Sequence, residues 1–232
     1  MKTRRPDAPK LAPWSAPMMA LAPALALALA LVLALSGCAT SPPSSFYTLT
    51  ALPRSAAEAP PRAGGLALAV GPVTFPAFLD RPQIVSREGT NRLALDEYHR
   101  WGGSIQDDFL RVWSENLATL LGTSRVLTFP AEVRYPVDFR VSAQVLSFEG
   151  EAVSQAGGEA LLKVRWTVLD GIREQVVVVE ESSYRSRLSA PGGQEELVAA
   201  MSETLGAFSR DVAERLGQLP RPVPLPVPVE TP

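Results

Sequence analysis

The spacing of apolar and polar residues changes character several times along this chain. Residues 18–35 form an almost unbroken apolar run, interrupted only by the turn-prone Pro23. Phe46–Leu49 and Leu66–Val73 then read as strands, joined through a Pro-, Ala- and Gly-rich loop at 53–65. Gln83–Arg87 and Arg92–Asp96 read as two short strands around Glu88-Gly89-Thr90-Asn91. A two-residue Gly-Thr loop fits a type II′ turn, because glycine tolerates the positive φ needed there. That register sets Arg87 opposite Arg92, an unfavourable pair unless an acid answers it.

The period then becomes helical. Ile105, Phe109, Val112, Trp113, Leu117, Leu120 and Leu121 share one stripe and predict a helix over Ser104–Leu121, with Ser104 and Asp107 as its cap and Gly122 as its stop. From Asp138 the pattern alternates. Phe139, Val141, Ala143 and Val145 share a face, as do Leu162, Val164, Trp166 and Val168; Gly157-Gly158 and Asp170-Gly171 mark turns, and Gln175–Leu188 follows as a third strand. This predicts a three-strand antiparallel meander. Val176–Val179 is apolar at successive positions and is expected to be covered on both faces. Glu195–Leu219 is the second helix, with Leu197, Ala200, Met201, Leu205, Phe208, Val212 and Leu216 on its buried stripe and two acids in its first turn, where the helix dipole favours them. The expected fold is α+β: two amphipathic helices packed on a largely antiparallel sheet, in a single domain over 46–219. Residues 220–232 hold six prolines in thirteen and predict an extended tail, either disordered or a strap for a partner.

The apolar run at the start is long enough to span a bilayer, but its flanks describe a secretory signal peptide over 1–37. Lys2, Arg4, Arg5 and Lys10 precede it and small residues follow it. Leu35-Ser36-Gly37-Cys38 resembles the lipobox of bacterial lipoproteins, in which the cysteine receives a diacylglyceryl group and, after cleavage, an N-acyl chain. The alternative is a lone cysteine after a transmembrane helix. Cys38 is the only cysteine, so no internal disulfide can form. Ala39 follows it rather than the aspartate that retains lipoproteins in the inner membrane. The expected location is therefore the periplasmic face of the outer membrane. Residues 38–45 form a short lipidated linker.

Without residues 1–37 the chain carries 18 Lys+Arg against 23 Asp+Glu, an acidic balance that argues against nucleic acid as a partner. Catalytic chemistry is poorly supplied. His99 is the only histidine, and neither a Gly-x-Ser-x-Gly elbow nor a phosphate-binding glycine loop occurs. A zinc site needs several His or Cys ligands. No catalytic residue, metal ligand or cofactor is assigned, beyond the covalent lipid on Cys38.

The lipobox, Phe46-Tyr47-Thr48-Leu49, "FLDRPQIVSR", "NRL", Trp101, "ENLATLLG" and a closing amphipathic helix occur in an order that resembles the ABC-type transport auxiliary lipoproteins, the PqiC-like family. The resemblance spans residues 35–219. It implies a non-enzymatic subunit anchored in the outer membrane, a homo-oligomer working beside an MCE-domain protein and an ABC or permease component. Such a system moves lipid between two membranes, and the lipoprotein docks its tunnel to the outer one. Two other readings are a lipid carrier that encloses its cargo and a structural lipoprotein of another envelope machine. Asp80, Arg81, Pro82, Gln83, Ile84, Arg87 and Arg92 are the candidate partner surface. The plainer reading of that hairpin pairs its arginines with Glu88 or Asp96. Trp101 is expected in the core.

Overall fold

Ser104 caps the first helix as its pattern predicts. Its Oγ accepts the Asp107 N–H at 3.2 Å, helix α1 runs Ile105–Leu120, and Gly122 takes the left-handed turn at φ +59° just beyond it. The computed structural model describes residues 43–53, 65–130, 136–151, 158–188 and 193–223, nearly all in the unit that starts at Ser44. The predicted signal peptide, Cys38, most of the 53–65 loop, Gly157 and the tail from 224 onward lie outside the described residues.

Eight strands follow the chain: β1 Ser45–Tyr47, β2 Leu68–Thr74, β3 Gln83–Arg87, β4 Leu93–Trp101, β5 Val126–Thr128, β6 Phe139–Glu151, β7 Glu159–Asp170 and β8 Val176–Arg187, before the second helix, α2 Gln194–Gln218. They form one curled, mixed sheet with β6 as its hub. One edge of β6 pairs antiparallel with β7, and β7 with β8. The other edge is shared: its first half runs parallel to β2, and Gly150 and Glu151 run parallel to β3. From there β5 joins β2 in parallel, β4 joins β3 antiparallel, and β1 joins β4 in parallel.

This corrects the expected fold class. The molecule is strand-dominated, a half-barrel of mixed strands carrying two helices, rather than two helices on a largely antiparallel sheet. The physical reason is that alternation assigns a residue to a face and says nothing of the neighbouring strand or its direction. The meander was local and readable. The parallel pairs join residues roughly 54 to 71 positions apart, and β5 is only three residues long.

Both helices bury their stripes against the sheet and each other. The Trp113 and Phe208 rings stack at 5.1 Å, and Phe109 meets Phe75 and Phe148 edge-on at 5.5 Å. Asn116, fully buried in α1, donates from Nδ2 to Ser209 Oγ of α2 at 3.2 Å. The segment after β1 lies across both helices. The Leu49, Thr50 and Leu52 N–H groups donate to Asp108 Oδ2, Ser202 Oγ and Asn116 Oδ1 at 2.6, 3.1 and 2.7 Å. Side-chain acceptors thus satisfy backbone donors that have no strand to pair with.

The run Val176–Val179 also departs from expectation. Val178 is buried, whereas Val177 and Val179 are exposed because only the inner face of β8 is packed, and Val176 is exposed at the strand's start beside a register shift. Further along β8 the helix-facing positions are polar and bond to α2: Glu180 to Arg215, Tyr184 to Asp211 and Ser186 to Glu203.

Candidate docking face

The hairpin closes one residue differently from its predicted register. Arg87 faces Leu93 and Ser86 faces Ala94, while the Glu88 N–H donates to the Arg92 carbonyl at 2.9 Å. The loop is therefore Gly89-Thr90-Asn91, with Gly89 at φ +81°. The two arginines do not oppose each other. Arg92 is exposed and pairs with Glu88 at 3.0 Å. Arg87 turns instead to Glu149 on β6, with Nε–Oε1 at 2.7 Å and Nη2–Oε2 at 3.1 Å. Glu149 is fully buried, and the two-pronged contact holds the Arg87 guanidinium above its ordinary pKa, chiefly through that hydrogen bond. Arg87 is committed to the fold.

The other candidate residues divide. Ile84 is buried in the core, as is Trp101, the latter as expected. The Pro82 carbonyl accepts the Trp101 N–H at 2.7 Å. Gln83 stands opposite Arg100, and Arg100 stands beside Phe46 on β1. Because residues in register share a face, Gln83, Arg100 and Phe46 form an outward row, while the next row, Trp101 and Tyr47, faces the protein. Phe46 is 67% exposed, and Tyr98, two residues back along β4, is 45% exposed. Arg100 bonds back to Glu97, donating to its carbonyl at 3.0 Å and lying 3.6 Å from its carboxylate. Asp80 and Pro82 are exposed beside this row. Phe46 was read only as strand, because so short an element shows too little alternation to fix which face is outward, and Tyr98 fell outside the expected strand Arg92–Asp96, which in fact runs on to Trp101.

A cleft of about 540 Å³ opens between β4, β6 and the start of α2, lined in part by Ser86, Asp96, His99, Gly150, Gln194 and Leu197. Asp96 organises it. Its Oδ1 accepts the N–H groups of Tyr98 and His99, both at 3.0 Å, and its Oδ2 meets His99 Nδ1 and Gln194 Nε2, both at 2.9 Å. Burial alone would raise the Asp96 pKa, but the His99 ring and these N–H groups more than offset it and hold the carboxyl below its usual range. The carboxylate–imidazole pair matches half of a hydrolytic site in outline only: among the described residues no hydroxyl bonds to the His99 ring, and no cluster of His, Cys, Asp or Glu is arranged to hold a metal. The role shown for Asp96 is to fasten an irregular stretch of β4 to α2.

The fold has solved counterparts. Protein XCC0632 from Xanthomonas campestris, of the family DUF330, superposes with a TM-score of 0.61 at 15% identity, covering 75% of this chain and 94% of that one. An uncharacterized protein superposes at 0.60 with 14% identity, covering 75% and 99%. PelC of Paraburkholderia phytofirmans, solved as a dodecamer, reaches only 0.38 at 14% identity, over 72% and 93%, too distant to inform assembly here. No curated protein matches the chain. The mixed half-barrel is thus the fold of a class that includes DUF330 proteins. A model of the ABC-type transport auxiliary lipoprotein component matches residues 47–213, and the chain belongs to that family. A transport system is therefore its setting and a membrane its neighbourhood.

Proposed function

We propose that this protein is a non-enzymatic, outer-membrane-anchored subunit of an intermembrane lipid transport system, docking the transport tunnel to the membrane from the periplasmic side. The observation that carries this reading is the family match across nearly the whole folded unit, residues 47–213. In this reading Cys38 bears a diacylglyceryl group and an N-acyl chain, together enough buried methylenes for durable attachment, since each contributes about 0.8 kcal/mol. The partners are an MCE-domain protein and an ABC or permease component, and the subunit works as a homo-oligomer.

Docking is favoured over carrying cargo by the charge at the cleft beside His99. That cleft of about 540 Å³ sets Asp96, His99, Glu151 and Glu159 beside Leu188 and Leu197, and carboxylates at its wall do not suit an enclosed acyl chain. Of the candidate partner surface, Asp80, Pro82 and Arg92 are exposed and Arg81 and Gln83 half-buried, whereas Ile84 lies in the core and Arg87 is bound to buried Glu149. The test is affinity capture of the tagged full-length protein from detergent-solubilised membranes. Recovery of an MCE-domain protein in stoichiometric amount is expected; capture of the lipoprotein with no component of an MCE system overturns the reading.

A further inference from the structure

The row Gln83–Arg100–Phe46 lies at the end of the fold where the chain leaves for its anchor. Resting on Cys38 acylation, the reading just given, the separation between lipid and fold is bounded by chain length. Seven residues lie between Cys38 and Phe46, and the eight chain steps across them, at about 3.5 Å each, allow at most about 28 Å. The linker Ala39-Thr40-Ser41-Pro42-Pro43-Ser44-Ser45 holds no large apolar side chain. Phe46 is the first one after the anchor, and it stands 67% exposed on β1, a strand that among the described residues pairs with β4 alone. Tyr98 lies on that neighbouring strand, 45% exposed.

Charge at this place is balanced, since Arg100 is held by Glu97. That leaves the aromatic pair as the feature able to favour a surface. A phenyl ring and a phenol at one edge suit the boundary between headgroups and acyl chains, where aromatic rings with one wet side concentrate. We propose that Phe46 and Tyr98 insert into the phospholipid leaflet that carries the anchor, making a second contact that orients the domain on the membrane. The lipid chains supply attachment, and the aromatic pair fixes which face of the half-barrel looks away from the bilayer.

The chain's single cysteine makes the test clean, because an acylated Cys38 cannot be labelled. Full-length Y98C, which keeps Phe46, is labelled with an environment-sensitive fluorophore and placed in phosphatidylethanolamine/phosphatidylglycerol vesicles with a headgroup-depth lipid quencher. V179C is the control on the distant β8 edge. Position 98 is expected to be quenched by the lipid probe at least threefold more than position 179, unaltered by raised salt, and adding F46S is expected to remove most of that difference. Equal, aqueous behaviour at both positions overturns the contact. So does shielding of position 98 from iodide without lipid quenching, which would mean that protein covers it. Mass spectrometry showing an unacylated Cys38 overturns the anchoring reading and this contact with it; acylated protein with position 98 in water overturns the contact alone.

Discussion

Glu149 is a carboxylate with no access to water, and Arg87 is what makes it tolerable. Removing one partner of such a pair leaves an uncompensated buried charge, a loss of about 3–5 kcal/mol, whereas replacing both with apolar residues of similar size is often near neutral. R87A is therefore expected to lower the urea midpoint steeply, and R87M/E149L to recover most of the loss. R92E should change stability by less than about 1 kcal/mol, because its pair with Glu88 is exposed. Any loss of partner capture in R92E then reports docking, while the same loss in an Arg87 variant reports unfolding. Nothing in the sequence around Arg87 pointed to Glu149, 62 residues away; the acid that answers the arginine comes from another strand. Asp170 belongs to the same scale. The N–H groups of Arg173 and Ile172 and the Arg173 side chain hold it below the ordinary carboxylate range, as His99 and two N–H groups do for Asp96. A carboxyl whose folded pKa is depressed contributes stability above its unfolded pKa and loses it as pH falls through the folded value. Urea midpoints should hold from neutrality to about pH 4 and fall below that. D170N should start lower at neutral pH and show a shallower decline.

The helices were legible because their signal is local. A stripe every three to four residues fixes both the element and its buried face, and α1 and α2 fall within a residue of the expected spans. Polar residues inside those stripes were less legible. Asn116 accepts the Leu52 N–H and donates to Ser209, joining the arriving chain, α1 and α2 at one buried point. N116A would strand a backbone donor and leave Ser209 without its donor partner, at about 1–3 kcal/mol for each group left unmet. Its unfolding midpoint should drop accordingly, and hydrogen exchange should rise first at Leu52. Gly150 closes the other end of the helix–sheet seam. A Cβ there would lie 2.9 Å from Leu197 Cδ2 and 3.0 Å from Ser86 Oγ. G150V is expected to loosen the start of α2 and widen the cleft beside His99, read as faster exchange over residues 194–198 with the rest of α2 little changed.

At the scale of the whole molecule, the strands were mostly legible and their arrangement was not. A 13-residue β6 accepts two different neighbours along one edge, and no residue in it signals where β2 yields to β3. The valines of β8 show the same limit. A continuous apolar run fits a strand covered on both faces or one left bare at an edge, and only the sheet order separates them. A long bare edge with exposed valines is prone to pair with other chains. V177K/V179K should raise the concentration at which the protein aggregates without moving its thermal midpoint, as light scattering and calorimetry would show. The segment that follows β1 bears on a different property of the whole. Three residues of parallel strand would peel readily if the chain were pulled from its N-terminal side, but Leu49–Leu52 are laced across two helices through Asp108, Ser202 and Asn116. In the anchored state proposed above, tension along the linker would meet these three bonds before it reached the core. In the docking role proposed above, this lacing onto both helices would serve as the domain's mechanical footing.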